Sequence, residues 1–130
     1  MAYRGALSTV VAASAAPYGY TISVWSTGAV LMNAHGTPRV GEVFGFIAGA
    51  LLAYGALALA VRGSVGSAPD DPAARVAAGA LHWLATGAAV GAAALIAELH
   101  GWEAWPLAAF STTALYLLLA GAQLALVARR

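Results

Sequence analysis

Four stretches of this chain carry no charge: positions 5–38, 43–61, 76–97 and 104–128. Every charged side chain lies between these stretches or at the two ends. About 20 apolar residues, rising 1.5 Å each, span the ~30 Å hydrocarbon core of a bilayer. The later three stretches therefore predict one crossing each, over about 43–61, 76–97 and 106–128. They are too long and too evenly apolar for the core helices of a soluble domain. The first stretch is longer than one crossing needs, and Pro17 divides it. Proline removes a backbone donor and disfavours the helical region for the residue before it. This predicts a first helix over about 6–33 with a kink near Pro17, or, alternatively, two kinked pieces. The expected fold is all-α: one domain of four transmembrane helices.

The N-terminus also has some features of a secretory leader, with Arg4 near the start and Ala12-Ala-Ser-Ala-Ala16 as a cleavage-like run. The apolar segment Gly5–Val11 is short and holds Ser8 and Thr9, and Pro17 disfavours cleavage just before it. The segment is read as a retained helix.

Composition narrows the class further. Of 130 residues, 62% are hydrophobic and 8% are charged. Ordinary soluble domains are about 25% charged, so the composition weighs heavily against a soluble enzyme. Six arginines against five acids leave a net charge of +1, too little for a nucleic-acid partner. The absence of cysteine removes disulfides, thiol nucleophiles and cysteine-ligated zinc.

The arginines predict orientation. In a four-crossing arrangement Arg4, Arg62, Arg75, Arg129 and Arg130 fall on one side and Arg39 on the other. Basic loops stay inside, so both termini are expected in the cytoplasm of a multi-pass cell-membrane protein. The 62–75 segment reads as a flexible cytoplasmic link. Its Asp70-Asp71-Pro72 run suits the start of a helix. Trp102 and Trp105 read as anchors at the outer interface.

Two kinds of helix face stand out. Gly41, Gly45, Gly49 and Ala53 recur every four residues in the second helix, and Gly87 and Gly91 do so in the third. Small residues at this spacing let a neighbouring helix come close, within the chain or from another subunit. Polar residues form the second kind. Ser14, Tyr18, Thr21, Trp25, Gly28, Met32 and His35 alternate at spacings of four and three along one face. His82 and Thr86 share a face, and His100 returns to it five turns beyond His82 if the helix continues. Thr112, Tyr116 and Gln123 share a face of the fourth helix. A weak likeness between the two halves, Trp25…His35-Gly36 and Trp83…His100-Gly101, requires gaps to align.

The chemistry available is limited. The membrane centre holds no carboxylate, and no phosphate-binding loop, His-Glu-x-x-His or nucleophile elbow occurs. His35, Glu42, Glu98, His100 and Glu103 map to the outer mouth, and imidazole with carboxylate suits a divalent metal. Within that group His35, Glu98, His100 and Glu103 are weak metal candidates, because their spacing fits no fixed motif. No cofactor is expected, and the chain is not read as an enzyme. The aligned polar faces predict a homo-oligomeric channel or facilitator for a small solute or ion. Its path-lining candidates are Thr21, Trp25, His35, His82, Thr86, His100, Thr112, Tyr116 and Gln123. The alternative is a non-catalytic accessory or assembly subunit of a larger membrane complex.

Overall fold

The computed structural model describes residues 3–62 and 70–129, with the side chains of 4–16, 72, 75, 78 and 128 left aside. The expected link through 63–69, Ser14 of the first polar stripe, and the contacts of Arg4, Arg75 and Arg130 lie outside what is described. The fold is all-α and has four helical rods, two of them long and apolar enough to cross a membrane. The rods are α1 (Tyr3–His35), α2 (Val40–Ala60), α3 with α4 (Pro72–Ala80 and His82–Ile96) and α5 (Ala104–Ala128).

Local chemistry explains the helix ends. The first helix runs unbroken through Pro17, so one continuous element replaces the two-piece alternative. The Thr21 hydroxyl donates to the Pro17 carbonyl at 2.9 Å, in the turn that follows the proline. Gly36 stops α1. Its φ of +80° suits a residue without a Cβ, and its N–H donates to the Met32 carbonyl at 2.8 Å. At the start of α2 the Glu42 carboxylate accepts the Arg39 N–H at 2.6 Å. Asp71 caps α3 by accepting the Ala73 N–H at 3.1 Å, with Pro72 as the first helical residue.

The third rod differs from one continuous span over 76–97. It begins earlier, at Pro72, and is interrupted at Leu81. Gly79 lowers helix propensity just before the break, and His82 just after it is held by Tyr116. α4 ends at Ile96, so Glu98 and His100 lie in the turns that follow.

α5 is the hub. Among the described elements α2 approaches only α5, whereas α1, α4 and α5 all pack on one another. One core cluster joins Leu31 to Ala93, Ala97, Ala104, Trp105 and Ala108. A second joins Ala85 and Ala89 to Tyr116. Alanine recurs because these backbones lie close together. The large apolar side chains point outward instead, among them Phe44, Leu51, Leu52, Leu59, Leu95 and Leu126. Only 11% of the apolar stretch of α2 is buried, the reverse of a soluble core helix.

Candidate functional site

The side chains with the most chemistry meet where α1, α4 and α5 converge. α1 contributes Gly19, Ser23, Thr27 and Leu31, a ridge with a four-residue spacing whose members are all buried. α5 answers with Thr112, Thr113 and Tyr116, also buried. α4 supplies His82 and Thr86, both half-buried.

Hydrogen bonds link these residues in pairs. Nearest the α3–α4 break, the Tyr116 hydroxyl lies 2.9 Å from His82 Nδ1, and the two rings stack with centroids 5.7 Å apart. The same hydroxyl lies over Gly19, where a Cβ would collide with it. Any Cβ there would have to displace the Tyr116 hydroxyl from its place beside His82. The Tyr20 ring leans on Tyr116 at 5.8 Å, and its hydroxyl pairs with Thr113 Oγ1 at 3.1 Å. Further along α1, the Ser23 hydroxyl donates to the Gly19 carbonyl at 2.8 Å and lies 3.1 Å from Thr86 Oγ1. Thr27 and Thr112 pair at 2.7 Å, both fully buried. Beyond them the interior turns apolar at Leu31, Ala93 and Trp105.

At the far end of α1, His35 Nε2–H donates to the Ala97 carbonyl at 2.9 Å and ties α1 to the last turn of α4. The carbonyl can only accept, so this contact fixes the tautomer. The His35 ring also leans on Trp105 at 6.3 Å. Trp105 is 3% exposed, whereas Trp102 is 65% exposed. Trp105 thus packs inside rather than anchoring an edge, because the first turn of α5 faces the bundle.

The candidate path residues separate into two groups. His82, Thr86, Thr112 and Tyr116 come together in the interior with Ser23, Thr27, Tyr20 and Thr113. Thr21 and Trp25 do not join them. Trp25 is 75% exposed, and Tyr18 and Met32 share that outer side of α1. His100 is exposed in the turn after α4, off the helical face of His82. Gln123 is half-buried near the end of α5, and its Oε1 has no hydrogen-bond partner. The metal candidates do not converge either. Among the described residues no group of three His, Asp or Glu is placed to hold an ion, and His35 Nε2 is engaged by Ala97.

The small residues divide in the same way. A Cβ on Gly49 would lie 2.9 Å from the Pro106 Cα and overlap the Pro106 carbonyl. A Cβ on Gly45 would meet the Pro106 ring at 3.5 Å, an ordinary contact. Ala53 is buried, while Gly41 meets nothing within 4 Å. On α4 the inward ridge is Ala85, Ala89 and Ala93. Gly87 and Gly91 face outward, and an added Cβ on either meets nothing within 4 Å.

Sequence reasoning missed Ser23, Thr27, Tyr20 and Thr113. The available signal was the four-residue spacing Gly19–Ser23–Thr27, which combines small size with a hydroxyl. No protein family model matches this chain, and neither the search of curated proteins nor that of solved structures finds a similar protein.

Proposed function

We propose that this chain is a non-catalytic accessory subunit that sits in a membrane and assembles with other transmembrane helices. In this reading all four rods cross the bilayer and both termini are cytoplasmic, following the arginine bias. The outward Leu, Phe and Val side chains of α2 and α5 meet lipid. The interior is a packing device, with hydroxyls and one imidazole pairing across three close helices.

One observation carries the proposal. The chain's own polar side chains fill the α1–α4–α5 interior, while Gly87 and Gly91 on α4 lie open on the outside. A small-xxx-small pair with nothing on it suits a helix from a second copy or another subunit. The test is the mass of the particle extracted in mild detergent, for the parent and for Gly87→Leu with Gly91→Leu. The proposal expects a complex in the parent that falls apart in the double variant, with the helical content of the chain preserved. A parent particle of one chain, whether extracted from its native membrane or from an overproducing one, contradicts it.

A homo-oligomeric channel is the second reading, favoured by the outward placement of Thr21 and Trp25 on α1. A path between copies would then run along α1 rather than through one chain. Solute flux into vesicles containing only this protein separates the readings: a channel conducts alone, and an accessory subunit does not.

A further inference from the structure

The His82–Tyr116 contact lies far from both ends of the bundle. Tyr116 is the middle residue of α5, and His82 is close to the middle of the 72–96 rod, at the junction where α3 gives way to α4. No side chain caps the start of α4, and the Leu84 N–H returns to the Leu81 carbonyl at 3.0 Å, a tighter turn than the α-helix. The Tyr116 hydroxyl, 2.9 Å from Nδ1, and the stacked rings tie this junction to α5.

The surroundings suit a neutral imidazole. The titratable groups that face the half-buried His82 ring are phenols: Tyr116 from α5 and, behind it, Tyr20 from α1. α3 presents none among its described side chains. The segments α1, α3, α4 and α5 contain no Asp or Glu. Asp70 and Asp71 precede α3, and Asp71 is eleven residues, about 16 Å of helix, from His82. Arg4 and Arg75, on α1 and α3, have side chains outside those described.

We infer that this contact is a proton-operated latch: with His82 neutral it holds the α3–α4 junction against α5, and protonation of the ring releases the junction. The neutral ring offers the lone pair of Nδ1 to the Tyr116 O–H. The imidazolium carries hydrogen on both nitrogens, so Nδ1 can only donate and the phenol must turn its own hydrogen away. The new charge meets no carboxylate, and an unpaired charge in an apolar interior is costly. Stability from the latch is thus present while the ring is neutral and is lost as the pH falls through its titration. The inference is independent of the assembly role proposed above.

The test uses the full chain in detergent, with His35→Gln and His100→Gln leaving His82 as its sole imidazole. Amide hydrogen exchange is read at about pH 7.5 and about pH 5.5 and corrected for the chemical pH dependence of exchange itself. Corrected exchange over the 79–86 segment is expected to rise about tenfold on acidification, the scale of one buried hydrogen bond, while that over 105–112 stays level. His82→Gln can still meet Tyr116 but takes up no proton, so its exchange should not respond to pH. Tyr116→Phe removes the bond and should raise exchange already at the higher pH. The nitrogen chemical shifts of the labelled ring show where His82 takes up its proton, and the rise in exchange should follow that titration. Exchange over 79–86 that does not respond to pH overturns the inference. So does a response that survives in His82→Gln or departs from the ring's titration, or a Tyr116→Phe variant that exchanges no faster at the higher pH.

Discussion

α5 presents two faces that pack by different physics. Towards α1 and α4 it offers Thr112, Thr113 and Tyr116, and each meets a polar partner. Towards α2 it offers Pro106, and the facing positions on α2 are Gly45 and Gly49. The first face is held by directional bonds between side chains. The second is held by backbone approach, closest at Gly49, where even a Cβ has no room. In the proposed membrane setting, association gains little from hydrophobic burial, so both devices would supply what burial does not. They fail differently. A polar pair tolerates matched replacement by apolar groups of the same shape, whereas the backbone contact at Gly49 tolerates no added volume.

The most damaging way to test this contrast is Gly49→Leu. Its side chain would occupy the place of the Pro106 backbone, so a loss of about 3 kcal/mol is expected from overpacking. Gly45→Ala, with its Cβ at ordinary contact distance, should change stability by less than about 1 kcal/mol. Thermal unfolding in detergent compares the two. Similar melting temperatures for Gly49→Leu and the parent would show that α2 does not rest on α5 at this point.

A smaller effect is expected on the polar face. Thr27→Val alone leaves Thr112 buried without its partner and should cost about 1–2 kcal/mol. Adding Thr112→Val should recover most of that loss. The double-mutant cycle should then give a coupling of about 1.5 kcal/mol or more, because each single change strands a buried hydroxyl and the double change strands none. Strict additivity would mean that the two hydroxyls do not bond.

Smaller still is the tie at the end of α1. His35→Phe keeps a ring beside Trp105 but removes the donor to Ala97. A loss of about 0.5–1 kcal/mol is expected, measured as faster hydrogen exchange in the last turns of α1 and α4. Unchanged exchange there would remove the tie.

How far the sequence reveals this fold depends on the question asked. The spacing of charges shows an all-α chain of four rods, because a charge-free stretch of about 20 residues has few other readings. It does not show the break at Leu81, which depends on weak local propensity and on a tertiary bond from His82 to Tyr116. Nor does it show which side of α1 turns inward. Tyr18, Thr21 and Trp25 form as regular a stripe as Gly19, Ser23 and Thr27. Hydropathy does not separate inside from outside when both are apolar, and residue size decides instead. Gly19 must be small because the Tyr116 hydroxyl lies against it, whereas Trp25 needs the free space outside. The same holds on α4, where three alanines take the inner ridge and two glycines the outer. Helical spacing identifies a face, but only the neighbouring helix determines its direction.

The most direct test of the proposed assembly role uses the absence of cysteine from the chain. A single cysteine can be placed at Ala94, exposed on the Gly87–Gly91 side of α4, or at Ala56, exposed on α2. Each variant is treated in intact membranes with a short photoactivated thiol crosslinker, since the chain has no lysine for an amine-directed one. Assembly through α4 predicts a discrete crosslinked product from Ala94→Cys, to a second copy or to one other subunit, and little from Ala56→Cys. The Ala94→Cys product should disappear when Gly87→Leu and Gly91→Leu are added. No product from Ala94→Cys, or equal yields from both positions, would contradict the account.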